Sequence, residues 1–308
     1  MVNTTAAQAD KGIVVPTQVP LAHILRDHAA WLQDPGLGNQ ADLSGMTLND
    51  SNLTGAVLRQ AILLGTTLLD ANLAGADLSG AKLERADLQR ANLAGADLSN
   101  ATMAGTMFSG ALLERTNLSD VIASGAVFNQ VRMKDARMLE ASVNDASFHQ
   151  ASLLRASLHH SRFYDVDFSE ANLDEAIFYH ARLQHSRLVA VSGAGVSFGG
   201  SKIDHCDFTH AVLPGSIFGR AEVIQCVFRN AKLNDSDFRE ARLSGGDFGR
   251  ATLRGARFGG ATFKNADFRG ADLTGARELT PEQLAQAMTD EITILPNGKP
   301  GPYRTGRR

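Results

Sequence analysis

Seven of the nine histidines fall between positions 149 and 210, and four of them, His160, His180, His185 and His205, form two pairs twenty residues apart. Imidazoles ligate metals and change charge near neutral pH. Cys206 and Cys226 stand the same twenty residues apart. A basic series runs Arg162, Arg182 and Lys202, is interrupted by Glu222, and resumes at Arg242. Guanidinium and ammonium groups in a row bind anions. None of these sets can act together unless the chain returns to the same place every twenty residues.

The sequence supplies such a return. From Ala41 to Gly275 the chain counts in fives without a slip, through 47 consecutive pentapeptides. The third position is Leu, Phe, Met, Ile or Val everywhere except Ala123 and Gly193, and it holds all 15 phenylalanines. The first position is small, with Met46 the one long exception. Five is neither the period of a helix nor that of a flat strand. One large and one small inward residue in every five suit a chain that turns a corner every five residues, so four pentapeptides close a square lap. Laps stacked at about 4.8 Å put residues twenty apart side by side. About twelve laps are expected, making a rod on the order of 55 Å long. Glycine recurs at the fifth position (Gly45, Gly55, Gly65, Gly75), where a tight turn suits a residue without Cβ.

Repeats such as Ala76-Asp77-Leu78-Ser79-Gly80, Ala91-Asn92-Leu93-Ala94-Gly95 and Ala266-Asp267-Phe268-Arg269-Gly270 resemble the pentapeptide-repeat family. The resemblance implies an all-β solenoid, the right-handed quadrilateral β-helix. It also implies a reading of function: some members imitate the size and charge of duplex DNA and bind type II topoisomerases such as gyrase. A C-terminal helix in some members makes a dimer contact.

Under this reading the chain divides into a flexible segment 1–19, a helical cap 20–40, the solenoid 41–275, a cap 276–296 and a flexible basic tail 297–308. Leu21, Ile24, Leu25, His28, Trp31 and Leu32 share one helical face, with Trp31 expected over the first lap near Leu43. At the other end Thr280, Pro281 and Gln283 spell a capping box, and Leu284, Ala287 and Met288 share the face of the helix it opens. That helix either closes the open edge or joins a second copy in a homodimer.

Net charge is −3, with 44% apolar and 20% charged residues, which is ordinary for a soluble protein. No apolar run is long enough to span a membrane, so no membrane partner is expected. The first twenty residues lack the basic and apolar regions of a secretory signal, and two cysteines make no disulfide framework, so a cytoplasmic, bacterial-type protein is expected. Cys206 and Cys226 occupy first positions and read as core fillers.

Charge is uneven. Residues 41–180 carry 17 acids and 10 bases, whereas residues 181–275 carry 9 acids and 13 bases. Phosphate-binding glycine loops, HExxH and CxxC patterns are absent. A filled rod offers no catalytic pocket, so the expected function is a non-catalytic scaffold that binds another protein through its faces, with no cofactor. Arg162, Arg182, Lys202 and Arg242 are the expected contact residues. The histidine pairs could grip a metal ion or respond to pH. Two alternatives stand beside the scaffold: a DNA-mimicking modulator of gyrase, drawing on the acidic section, and anion or nucleic-acid binding by the basic end, which lacks exposed aromatics. Gly193 leaves an inward slot unfilled, which predicts the softest lap there.

Overall fold

A computed structural model describes residues 20–303. The expected flexible segment 1–19 and the last basic residues of the tail, Arg304, Arg307 and Arg308, lie outside the described residues.

The chain forms a parallel β-solenoid. Its four sides begin with the bridges Asp42–Ile62, Thr47–Thr67, Asn52–Asn72 and Val57–Asp77, and the twenty-residue pairing continues to Arg257–Arg277. One side alone extends into strands: β1 (Ile122–Ser124), β2 (Ser142–Asn144), β3 (Arg162–Tyr164), β4 (Arg182–Gln184), β5 (Lys202–Asp204) and β6 (Glu222–Ile224), stacked in chain order. This continuous sheet joins six laps by five steps, and single-residue bridges hold the other laps.

The two faces differ at their corners. At an ordinary corner the third-position carbonyl accepts the amide three residues on, as Leu43 does from Met46 at 3.0 Å, with Gly45 at φ 66°. That is the geometry of a type II turn. Along β1–β6 the fourth residue stays extended instead. There the Val166 amide donates to the Ser186 hydroxyl at 3.2 Å, so a buried serine replaces a backbone partner.

Third-position side chains fill the interior. Phe108, Phe128, Phe148 and Phe168 stack with ring centroids 4.6–4.9 Å apart, and the column resumes with Phe208, Phe228, Phe248 and Phe268. The column of Phe178, Phe198, Phe218, Phe238 and Phe258 meets them edge-on, Phe218 lying 6.0 Å from Phe228 at 86°. Stacked and edge-to-face arrangements are the two that ring quadrupoles favour. Buried first-position hydroxyls reach backbone carbonyls, as Thr66 does to Leu43 of the previous lap at 2.8 Å and Ser201 to Phe198 of its own lap at 2.6 Å.

The fifth position is left-handed throughout, although most of its occupants are not glycine. Asp70, Arg90, His160, His180 and Ala190 all have φ between 55° and 59°. Polar residues there can offset the strain through their side chains, but Ala190 has no such means. Ala190→Gly is therefore expected to raise stability by about 1 kcal/mol, read from urea unfolding. An unchanged or lowered midpoint would contradict that account of the corners.

Gly193 does not leave a hole. A Cβ there would lie 2.7 Å from Val196 Cγ2 and 2.8 Å from the Leu173 carbonyl carbon. The neighbouring lap and Val196 close over the glycine, so the expectation of an unfilled slot is corrected.

The ends differ from their expected form. Helix α1 (Leu21–Gln33) covers the first lap, but the group that seals it is His28, fully buried, whose Nδ1 accepts the Ala41 amide at 3.0 Å. Trp31 is only half-buried and stacks on His28 at 5.6 Å rather than lying on the lap. An open edge needs a partner for its free amide, and imidazole supplies one where indole, which only donates, cannot. Burial pushes the His28 imidazole below its usual range, partly opposed by the Arg59 carbonyl. A base whose folded form resists protonation contributes stability that is fully present above the unfolded imidazole range and is lost as pH falls through it. Between about pH 7 and about pH 5 the parent should lose more stability than His28→Asn, whose side-chain oxygen can still accept the Ala41 amide. Parallel pH profiles would contradict this role.

At the C-terminal end the Thr280–Gln283 capping box is present. Helix α2 (Pro281–Leu284), however, is a single turn, and Met288 is not on it. The last lap presents unpaired backbone groups, and irregular chain satisfies them better than a longer helix could. The Gln283 amide donates to the Phe258 and Ala261 carbonyls at 2.8 Å, and Met288 and Ile294 pair with Asp267 and Asp272. Residues 297–303 fold back rather than trailing free: Gly301 donates to Thr293 and Tyr303 packs on the core.

Candidate partner-binding face

The strands β1–β6 place every second-position residue on one outward face in register. Arg162 on β3 pairs with Arg182 on β4, and Arg182 with Lys202 on β5. Neighbouring strands lie about 4.8 Å apart, so three cations stand in a row at that spacing. Glu222 on β6 does more than interrupt the series. Its carboxylate lies 3.0 Å from Arg242 Nη1 and 3.7 Å from Lys202 Nζ, tying down both. The column of four expected contact residues is thereby split. Lys202 and Arg242 are paired, whereas Arg162 and Arg182 are exposed and have no carboxylate within 4.0 Å among the described residues.

The histidines bracket this face at its two corners. His160 and His180 stack with centroids 5.4 Å apart and planes 13° from parallel; His185 and His205 stack at 5.2 Å and 27°. Each pair is the corner of successive laps, as the twenty-residue interval requires. His180 Nδ1 lies 3.2 Å from the Gly200 carbonyl, and His205 Nδ1 lies 2.8 Å from Asp204 Oδ1. Two stacked rings offer two nitrogens, fewer than the three or four protein ligands a zinc ion takes. Among the described residues no group of three or more His, Cys, Asp and Glu side chains is arranged to hold a metal ion. His159, beside the first pair, is held below the usual imidazole range by burial and by His160 and His180.

Glu140, His160, Arg162, His180 and Arg182 line an open cavity of about 510 Å³. Around the same corner, on the adjoining face, Tyr179 lies against Gly199, where a Cβ would come within 3.3 Å of its ring. His180 covers Gly200 in the same way, a Cβ there meeting its ring at 2.7 Å. The uncharged stretch Leu188–Ser201 is thus where two rings fold down. Beside them Gly199, Gly219 and Ile217 form a shallow notch of about 340 Å³.

Several surface features escaped the sequence reading. Tyr164 and Tyr179, both in the acidic section 41–180, are 44% and 43% exposed. The signal was available: both sit at outward fourth positions. Gly195-Val196-Ser197-Phe198-Gly199 has the spacing of a hydrolase nucleophile elbow, yet it follows the pentapeptide frame and makes no strand-to-helix turn. Ser197 lies on a flat side with Phe198 inward. Cys206 and Cys226 are buried and free, as core fillers, and burial pushes the Cys226 thiol well up.

Among the described residues no helix is long and apolar enough to cross a membrane. No curated protein matches the chain. Among solved structures, the chain is similar to HetL, a pentapeptide repeat protein involved in heterocyst differentiation regulation in the cyanobacterium Nostoc sp. strain PCC 7120. Identity is 23% over 92% of this chain and 100% of that one, with a TM-score of 0.33. It is also similar to QnrB1, a plasmid-mediated fluoroquinolone resistance protein, at 14% identity over 81% and 94% of the two chains, TM-score 0.27. The mannuronan C-5 epimerase AlgE4 A-module of Azotobacter vinelandii aligns at 11% identity over 83% and 86%, TM-score 0.33. The family model of pentapeptide repeats matches residues 39–188 in overlapping segments, and a second model, the pentapeptide repeat region, matches 201–277. With the frame, the square laps and both matches in agreement, the chain belongs to the pentapeptide-repeat family.

Proposed function

We propose that the protein is a non-catalytic scaffold in the cytoplasm that docks an acidic protein partner on the β1–β6 face, with Arg162 and Arg182 at the centre of the contact. The observation that supports this reading is the pair of in-register guanidinium groups left without a carboxylate, next to a neighbour, Lys202, that has one. Like charges held a strand apart repel, and an anionic partner offsets that repulsion. Tyr164 and Ile224, exposed on the same face, provide the apolar contact that such interfaces combine with arginine.

The test is crosslinked capture from the native host with the parent and with Arg162→Glu/Arg182→Glu. The double variant should melt like the parent, since both side chains are exposed, and should lose at least about ten-fold of the captured partner. Equal capture by both proteins would overturn the assignment.

A second reading draws on the excess of acids over residues 41–180: a surface that mimics duplex DNA for a topoisomerase such as gyrase. Of those acids, Asp70, Asp77, Glu114 and Asp135 are already paired with arginines, which reduces the field available for mimicry. A supercoiling assay with purified gyrase separates the readings: inhibition or protection supports mimicry, and no effect at micromolar protein removes it.

A further inference from the structure

We propose that the corner formed by His160, Arg162, His180 and Arg182 is a phosphate site, taking a phosphomonoester carried on a side chain of the docked protein partner. This inference rests on the reading of β1–β6 as a docking face and gives that partner a chemistry.

Arg162 and Arg182 are unpaired and in register, and His160 and His180 stack 5.4 Å apart along the edge of the same cavity. One lap further on, Lys202 is drawn to Glu222, and Glu222 also holds Arg242. One lap back, Glu140 occupies the corner column and lines the cavity. Across the strand the opposite corner carries Asp145 and Asp165, and Asp204 is bound to His205. The surplus is therefore confined to two guanidinium and two imidazole groups, fenced by acids along and across the rod. A long polyanion such as duplex DNA would meet Glu140 on one side and Glu222 on the other. A compact dianion avoids both.

A phosphomonoester suits the groups present. It brings close to two negative charges and three acceptor oxygens, enough for two guanidinium forks and an imidazole donor at once. A single carboxylate brings one charge and two oxygens. The site is open, so free phosphate would be held only by exposed, screened side chains, which are worth little alone. Attachment to a protein adds the contact that exposed Tyr164 offers on the same face and Tyr179 and Ile217 offer around the corner.

Binding should gain from protonation of the imidazoles. His160 has His180 on the next lap, Glu140 on the previous one, Arg162 at the start of β3 two residues on, and His159 and Tyr179 across the corner. His180 has Arg182, the Gly200 carbonyl and, two laps along, Arg220, which is itself paired with Glu240. A dianion placed among these groups favours the charged imidazoles. Acidification therefore strengthens binding until the phosphate takes up its own second proton near pH 6.

The test is fluorescence anisotropy with a short labelled peptide carrying one phosphoserine between leucine residues. The controls are its unphosphorylated and glutamate versions, inorganic phosphate and a duplex DNA. The phosphopeptide should bind at least about ten-fold tighter than either peptide control, with inorganic phosphate competing only at about millimolar concentration. Its affinity should rise several-fold from about pH 8 to about pH 6.5. Arg162→Gln/Arg182→Gln should remove the preference for phosphate, and His160→Gln/His180→Gln should remove the pH dependence while leaving binding at the higher pH. Equal affinity for the three peptides, or a preference that survives loss of both arginines, overturns the site. So does inorganic phosphate binding as tightly as the phosphopeptide, or DNA binding more tightly at the same two arginines. If host capture needs the arginines but survives phosphatase treatment, the phosphate assignment fails and the docking face stands. If phosphopeptide selectivity holds but capture ignores the arginines, the docking face fails instead.

Discussion

Leu118→Asp is expected to abolish the cooperative melt of the protein. Leu118 has no solvent exposure and sits in a third-position column with Leu98, Met138 and Leu158, all equally enclosed. A carboxylate there would have apolar side chains as neighbours and no cation, and burying a charge without partners costs at least several kcal/mol. The laps on either side contact only their neighbours, so one broken lap disconnects the stack. The control is Ser119→Asp, one residue along at a half-buried outward position, where the change should stay within about 0.5–1 kcal/mol. Circular dichroism during heating reads both. A Leu118→Asp protein that melts like the parent would mean that third positions do not point inward.

Phe228→Ala should cost about 3–5 kcal/mol in urea unfolding while leaving a folded protein. The ring lies 4.6 Å from Phe208 and 4.8 Å from Phe248 in its own stack, and meets Phe218 edge-on. Truncation removes three ring contacts and opens a cavity that square laps, tied above and below by hydrogen bonds, cannot collapse to fill. Phe228→Leu keeps most of the volume and should cost roughly half as much or less. A loss under about 1 kcal/mol for the alanine variant would show that the aromatic columns are loosely packed.

The frame made the lap legible because its inward positions hold one kind of residue each: fifteen phenylalanines at one offset leave a single way to wind the chain. From that alone the stacked rings, the histidine pairs and the cation column followed. The unread features depend on side chains that answer backbone needs. The helical spacing puts His28 and Trp31 on one apolar face, and nothing in that spacing says which of them meets the Ala41 amide. The sequence spells Gln283 as half of a capping box, which it is, but its amide also seals two carbonyls of the solenoid edge. Glu222 looked like a break in a basic column, because a sequence column gives order and not reach; its carboxylate spans the neighbours on both sides. The left-handed corners at Asp70 and His160 were hidden behind the more familiar glycines.

In a square lap of twenty residues, residues twenty apart are neighbours and residues ten apart lie on opposite faces. Pyrene attached at Ser142→Cys and Arg162→Cys, in a Cys206→Ala/Cys226→Ala background, measures this directly. The structure pairs Ser142 with Arg162 on adjacent strands and places Ser152 on another side of the lap. Strong excimer emission is expected from the 142/162 pair and monomer emission from a 142/152 pair. Monomer emission from the first pair, or excimer from the second, would contradict the solenoid and the binding face built on it.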